Sequence, residues 1–197
     1  MNETDLVHFY FDYVDPFSLI LQRRLEARAE KGTVLPNYRP MEVNPPPGPL
    51  LNLHEPEWAA RWDAALKTAR ELGLELSPPW IVPWSRKAHE LACLARQKES
   101  FREIHGDLFR AYLIDGKDIG RVDILTDIAR QRGLDPHEVK AALDVDRYRK
   151  DVEDARVMGI REGVEEIPCL HWQGRRLSGN PTAAELDRFL AAEPELD

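Results

Sequence analysis

The order in which strand-like and helix-like segments follow one another constrains this chain more than any single motif does. β-favouring residues run from Leu6 to Phe11, and a second strand falls within Val34 to Val43, interrupted by Pro36 and Pro40. Strand character returns only at Ile167 to Trp172, where Gln173-Gly174 supplies a hairpin turn into Arg175-Arg176-Leu177. Neither end carries enough strands for a sheet that stands alone, so the two half-sheets must pair across everything between them. The pattern predicts an α/β domain interrupted by a helical block.

The helices follow from periodicity and caps. Asp15-Pro16 precedes Phe17, Ile20, Leu21 and Leu25 and a stop before Gly32, which reads as N-cap, N1 proline, apolar stripe and terminal glycine in order. Asn44-Pro45-Pro46-Pro47-Gly48-Pro49 is a stiff connector. From Glu57 to about Val157 the pattern is mostly helical, with one stripe at Trp58, Trp62, Leu66 and Ala69 and others at Ala88 to Ala95, Ile104 to Tyr112, Ile124 to Ile128 and Val139 to Leu143. Asn180-Pro181 predicts the opening of a last helix that buries Leu186, Phe189 and Leu190.

A chain of 197 residues with 43% hydrophobic side chains can bury a core without disulfides or metal. The net charge of −8 argues against nucleic acid or an anionic membrane as a partner. No apolar run reaches the roughly 20 residues that span a bilayer. Met1 to Asp5 lacks the basic and apolar regions of a secretory signal, which points to a reducing cytoplasm. Cys93 and Cys169 are then reduced thiols, each a small apolar core residue by default. The six histidines show no paired ligand spacing, so no metal site is expected. There is no Gly-rich phosphate loop, no Gly-x-Ser-x-Gly elbow and no dinucleotide fingerprint.

Several segments, in this order, carry a resemblance. They are Val7 to Val14, Pro83-Trp84-Ser85-Arg86-Lys87-Ala88-His89, Phe109 to Tyr112, Gly116 to Ile119, Gly163-Val164-Glu165-Glu166-Ile167-Pro168 and Ser178-Gly179-Asn180. Together they resemble the DsbA-like branch of the thioredoxin superfamily, near the cytosolic FrnE-like oxidoreductases, with hydroxychromene-carboxylate isomerases and kappa-class glutathione transferases as cousins. The resemblance implies a thioredoxin-like fold from residues 1–50 and 155–197, interrupted by an all-helical insert over 51–154. It also implies a cis-proline at Pro168.

In this family the chemistry resides in a Cys-x-x-Cys at the start of the first helix, where free amides and the helix dipole stabilise a thiolate. The resemblance places Asp15-Pro16-Phe17-Ser18 at those positions. A carboxylate and a hydroxyl cannot exchange disulfides, so a dithiol reaction centred on this turn is chemically excluded. Asp15 and Ser18 become the candidate catalytic residues, with Pro16, Phe17, Ile167, Pro168 and Cys169 lining a substrate site. The isomerase and transferase cousins imply glutathione as the candidate cofactor, bound through a hydroxyl at its sulfur. Asp15 stands where those relatives place that hydroxyl, and Asn180-Pro181 replaces the pair that grips the tripeptide's charged end; both departures count against it. Three readings stay open: an oxidoreductase homologue with a degenerate turn, a glutathione-dependent enzyme acting on a hydrophobic small molecule, and a non-catalytic module that presents its groove to a peptide or partner, for which a homodimer is one arrangement. Asp before Pro is also an ordinary helix start, and Trp58, Trp62, Trp80 and Trp84 are candidates for either packing or the groove.

Overall fold

The computed structural model describes residues 6–29 and 36–191; Met1 to Asp5, the expected helix stop at Gly32 and the strand start at Val34 lie outside the described residues. The described residues form a four-stranded sheet in the order β2-β1-β3-β4, built from β1 (Val7–Phe11), β2 (Pro36–Pro40), β3 (Cys169–Trp172) and β4 (Arg175–Ser178). The ends of the chain do pair across the intervening helices. β1 runs parallel to β2 and antiparallel to β3, with Phe9 opposite Leu170 and Tyr10 opposite Cys169. Two prolines are tolerated in β2 because it is an edge strand, whose outer side needs no ladder donors. Gln173 and Gly174 both adopt positive φ, 50° and 75°, the turn that matches the twist of a two-residue hairpin.

Helix α1 (Pro16–Ala29) follows β1, and α2 (Pro56–Glu71) packs against it. Then come α3 (Arg86–Gln97), α4 (Phe101–Leu113), α5 (Val122–Gln131), α6 (Pro136–Asp144) and α7 (Arg149–Arg161), with α8 (Ala183–Ala191) closing the described chain. The last helix starts later than Asn180-Pro181 suggests. Thr182 and Glu185 form a reciprocal cap there: the Thr182 amide and hydroxyl donate to Glu185 Oε2 at 2.7 and 2.8 Å, and the Glu185 amide donates to Thr182 Oγ1 at 3.3 Å. Asn180 instead ties two helices, accepting from Arg24 Nη1 at 2.8 Å and donating to Thr68 Oγ1 at 3.0 Å.

Every residue of β1 is buried, and the strand's alternation divides the interior. Phe9 and Phe11 point into one continuous core with Leu91, Phe109 and Leu170, which joins the sheet to the helical segment. Tyr10 faces the other way, into a smaller cluster with Met41, Val164, Ile167 and Cys169. Helix α7 packs against both α3 and β2. It comes so close to the sheet at Gly159 that an added Cβ would lie 2.9 Å from Tyr10 Cε1. Trp58 and Trp62 are buried, whereas Trp80 and Trp84 are exposed.

Candidate functional site

The turn between β1 and α1 is buried throughout, and Asp15 and Ser18 have no exposed surface. Its local chemistry is that of a helix start. Asp15 Oδ2 accepts from the Ser18 amide at 2.7 Å, which satisfies one of the orphan donors of the first turn, and from the Ser18 hydroxyl at 2.6 Å. Ser18 Oγ in turn accepts from the Asp12 amide at 3.3 Å. The hydroxyl is therefore engaged as both donor and acceptor.

The second carboxylate oxygen meets a residue that periodicity gave no reason to single out. Arg61, on α2, donates from Nε to Asp15 Oδ1 at 2.7 Å and from Nη2 to the Ile167 carbonyl oxygen at 2.5 Å. Its guanidinium lies 4.9 Å from the centre of the Phe17 ring. One side chain thus clamps the helix-start turn to the segment ahead of Pro168, whose peptide bond with Ile167 is cis. Burial pushes the Asp15 carboxyl above the usual carboxylate range, opposed by Arg61 and by the hydrogen bonds from Ser18.

A polar layer lies beneath the turn. Asp12 is fully buried; Oδ2 accepts from the Val43 amide at 2.7 Å and Oδ1 lies 3.2 Å from His89 Nε2. The Tyr13 hydroxyl bonds His105 Nδ1 at 2.8 Å, and burial holds that imidazole well below its ordinary pKa, so it is neutral and accepts the tyrosine's proton. These groups hold the backbone of the turn from behind and do not reach solvent.

The other site residues suggested by the sequence are divided between different surroundings. Phe17 packs with Ile20, Ala65 and Ala69 under α2. Pro16 and Pro168 are buried, and the Pro168 carbonyl accepts from the Gly179 amide at 2.8 Å. Cys169 has no exposed surface and points toward Tyr10; burial raises its thiol pKa, and pushes that of Cys93 up to about 11. Beside Pro168, Arg61 already occupies the Ile167 carbonyl.

Of that set, Ile167 borders a groove of about 710 Å³, with Met41, Val43, Leu51 and Trp58 as apolar walls and Arg61 at its base. Glu42, Glu55, Glu57, Glu165, Glu166 and Arg156 also line it. Trp80 and Trp84 do not line it.

Residues 6–191, which hold the helix-start turn, the cis Ile167-Pro168 bond and the sheet with its helical segment, match the DSBA-like thioredoxin domain. The chain belongs to the DsbA family. Uncharacterized protein YwbO of Bacillus subtilis (strain 168) is 27% identical over 164 residues, covering 81% of this chain and 80% of that one. Among solved structures, a probable DsbA oxidoreductase, SCO1869 from Streptomyces coelicolor, superposes with a TM-score of 0.82 at 18% identity, over 93% of this chain and 87% of that one. A 2-hydroxychromene-2-carboxylate isomerase superposes with a TM-score of 0.74 at 17% identity, over 93% and 90%. The family fold is shared by oxidoreductases and an isomerase, so the activity has to be read from this chain's own turn. Among the described residues no helix is long and apolar enough to cross a membrane.

Proposed function

We propose that this DsbA-family protein performs no dithiol–disulfide exchange and acts as a binding protein, taking an apolar small molecule or a short extended peptide in the groove beside Ile167. The observation that carries this reading is the state of Asp15 and Ser18. Both are fully buried, and each is satisfied by the other and by Arg61 or Asp12, so neither presents a lone pair to a substrate. The two thiols offer no substitute, because they are unpaired, lie on different elements and have pKa values raised by burial. Unpaired thiols also agree with a reducing cytoplasm.

The groove has the volume and the apolar walls of a small-molecule site, and its five carboxylates, of which Glu42 is paired with Arg86, favour a neutral or cationic occupant. The glutathione-dependent alternative needs the Ser18 hydroxyl at a ligand's sulfur, and that hydroxyl donates to Asp15. The excess of carboxylates around the groove also repels an anionic tripeptide.

The test has two arms. Insulin-disulfide reduction by the wild-type protein is expected at background; turnover that disappears in Asp15→Ala or Ser18→Ala would overturn the non-redox reading. A thermal-shift screen of neutral and cationic aromatic compounds, run beside reduced glutathione, is expected to find ligands whose binding weakens in the surface charge reversal Glu165→Arg/Glu166→Arg. Glutathione binding weakened by Ser18→Ala would favour the isomerase-like alternative instead.

A further inference from the structure

On the face of the sheet that Tyr10 occupies, three potential ligands converge that lie far apart in sequence. His8 on β1 and His171 on β3 are direct cross-strand partners, so their side chains leave the same face side by side. Glu162, the residue that ends α7, hangs over the pair. One oxygen of its carboxylate lies 3.3 Å from His8 Nδ1, and the other lies 2.7 Å from His171 Nδ1. One ligand atom from each of the three residues falls within 4.8 Å of the other two.

From this geometry we infer a binding site for a divalent transition-metal ion, of the Zn²⁺ class, held by His8 Nδ1, His171 Nδ1 and Glu162. A four-coordinate ion with bonds of about 2.0–2.2 Å sets its ligands about 3.3–3.5 Å apart, so the set closes around one with shifts on the order of 1 Å. Two imidazoles and one carboxylate suit zinc and its neighbours rather than magnesium or calcium, which take oxygen ligands. The surroundings supply the supports that such a ligand set needs. The Tyr10 hydroxyl donates to Glu162 Oε2 at 2.9 Å and orients the carboxylate from behind. Arg176 donates to the backbone carbonyl of Glu162 at 2.8 Å, which fixes the end of the helix while the carboxylate faces the two rings.

The site is also reachable. The side chains of Glu162 and His171 are 20% and 18% exposed, and with His8 they line a cavity of about 320 Å³ bounded by Leu6, Met158, Gln173 and Gly174. Three protein ligands beside an open cavity leave the fourth position to water or to an exchangeable small ligand, as in catalytic rather than closed structural zinc sites. This site is separate from the groove at Arg61, so its occupancy does not depend on the function proposed for that groove.

The decisive experiment titrates tag-free, full-length protein with Zn²⁺ against a chromophoric chelator and with Co²⁺ as a spectroscopic surrogate. One equivalent of metal is expected, with visible cobalt bands of low-symmetry, four-coordinate character. His171→Ala and Glu162→Gln are expected to abolish that equivalent, Tyr10→Phe to weaken it about tenfold, and His54→Ala, in an exposed loop, to leave it unchanged. His8 is nearly buried, so a folding defect in its alanine variant would leave the Glu162→Gln and Tyr10→Phe results to decide. Wild-type protein that takes up no metal would overturn the assignment, as would Glu162→Gln and His171→Ala variants that bind like wild type.

Discussion

Replacing Arg61 by methionine tests whether the helix-start turn is held by charge. Methionine keeps an apolar stem beside Phe17 but removes the guanidinium, leaving the Asp15 carboxylate buried with only Ser18 to solvate it. Removing one partner of a buried pair costs about 3–5 kcal/mol, and the 25% exposure of the Arg61 side chain puts this pair toward the lower end. For a chain of 197 residues each kcal/mol is worth about 2–4 °C of Tm, so the variant should melt about 6–12 °C below wild type near neutral pH. The sign of the pH dependence follows from Asp15. Its folded carboxyl lies above the unfolded value of about 3.9, so the folded state holds that proton more tightly. The stability tied to the group is complete below the unfolded pKa and is lost as pH rises through the folded one. Without Arg61 the folded pKa climbs further and the loss extends toward neutrality. Thermal melts from about pH 4 to about pH 8 should therefore show the gap to wild type widening as pH rises. The double variant Asp15→Asn/Arg61→Met, with neither charge, should recover most of the loss and remove the widening. An Arg61→Met protein as stable as wild type at neutral pH, or a gap that ignores pH, would refute the clamp.

Two further outcomes follow from packing and from thiol burial. Gly159→Ala places a Cβ 2.9 Å from the Tyr10 ring and 3.1 Å from Met41 Sδ, so overpacking should outweigh the gain in helix propensity by about 1 kcal/mol or more, read as a lower denaturant midpoint with unchanged slope. Cys93, with a pKa near 11 raised by burial, carries about a hundredth of the thiolate of an ordinary cysteine at mildly alkaline pH. Cys93 in native protein should therefore react with a chromogenic disulfide reagent at least that much more slowly than in denatured protein, and Cys169 should react slowly because it is buried; fast reaction at Cys169 would contradict its complete burial.

What the sequence made legible was whatever is encoded locally or by pattern. The split sheet followed from too few strands at either end. The start of α1 followed from Asp15-Pro16, since a cap acts only on its own next turn. The proline-bearing strand was readable as a strand but not as an edge, because edge position depends on which partner lies on each side. The last helix starts two residues later than Asn180-Pro181 suggests, because Asn-Pro imitates a cap and the competing Thr182-Glu185 box lies just beyond it. Arg61 was invisible for a different reason. An arginine between Trp58 and Trp62 reads as a solvated flank, and its pairing with Asp15 requires α2 to lie across the start of α1. The two histidines of the sheet face share no ligand spacing along the chain, because strand pairing alone brings residues 8 and 171 together.

The Arg61 clamp explains how the same turn supports different chemistry in one fold. A helix start stabilises whatever anion sits on its amides; a thiolate there is reactive because it is exposed and can share its electrons. Here a carboxylate takes that place, and a buried carboxylate demands a cation of its own. Arg61 meets that demand and, in doing so, reaches on to Ile167 and covers the turn that a redox member of the family would have to leave open. Substituting the nucleophile and sealing the site are therefore one change rather than two. It follows that restoring cysteines at positions 15 and 18 alone should give a sluggish dithiol, and that exchange should become fast only when Arg61 is also shortened to alanine. If the cysteine pair works equally well with Arg61 in place, the arginine is a neighbour of the turn and not its cover.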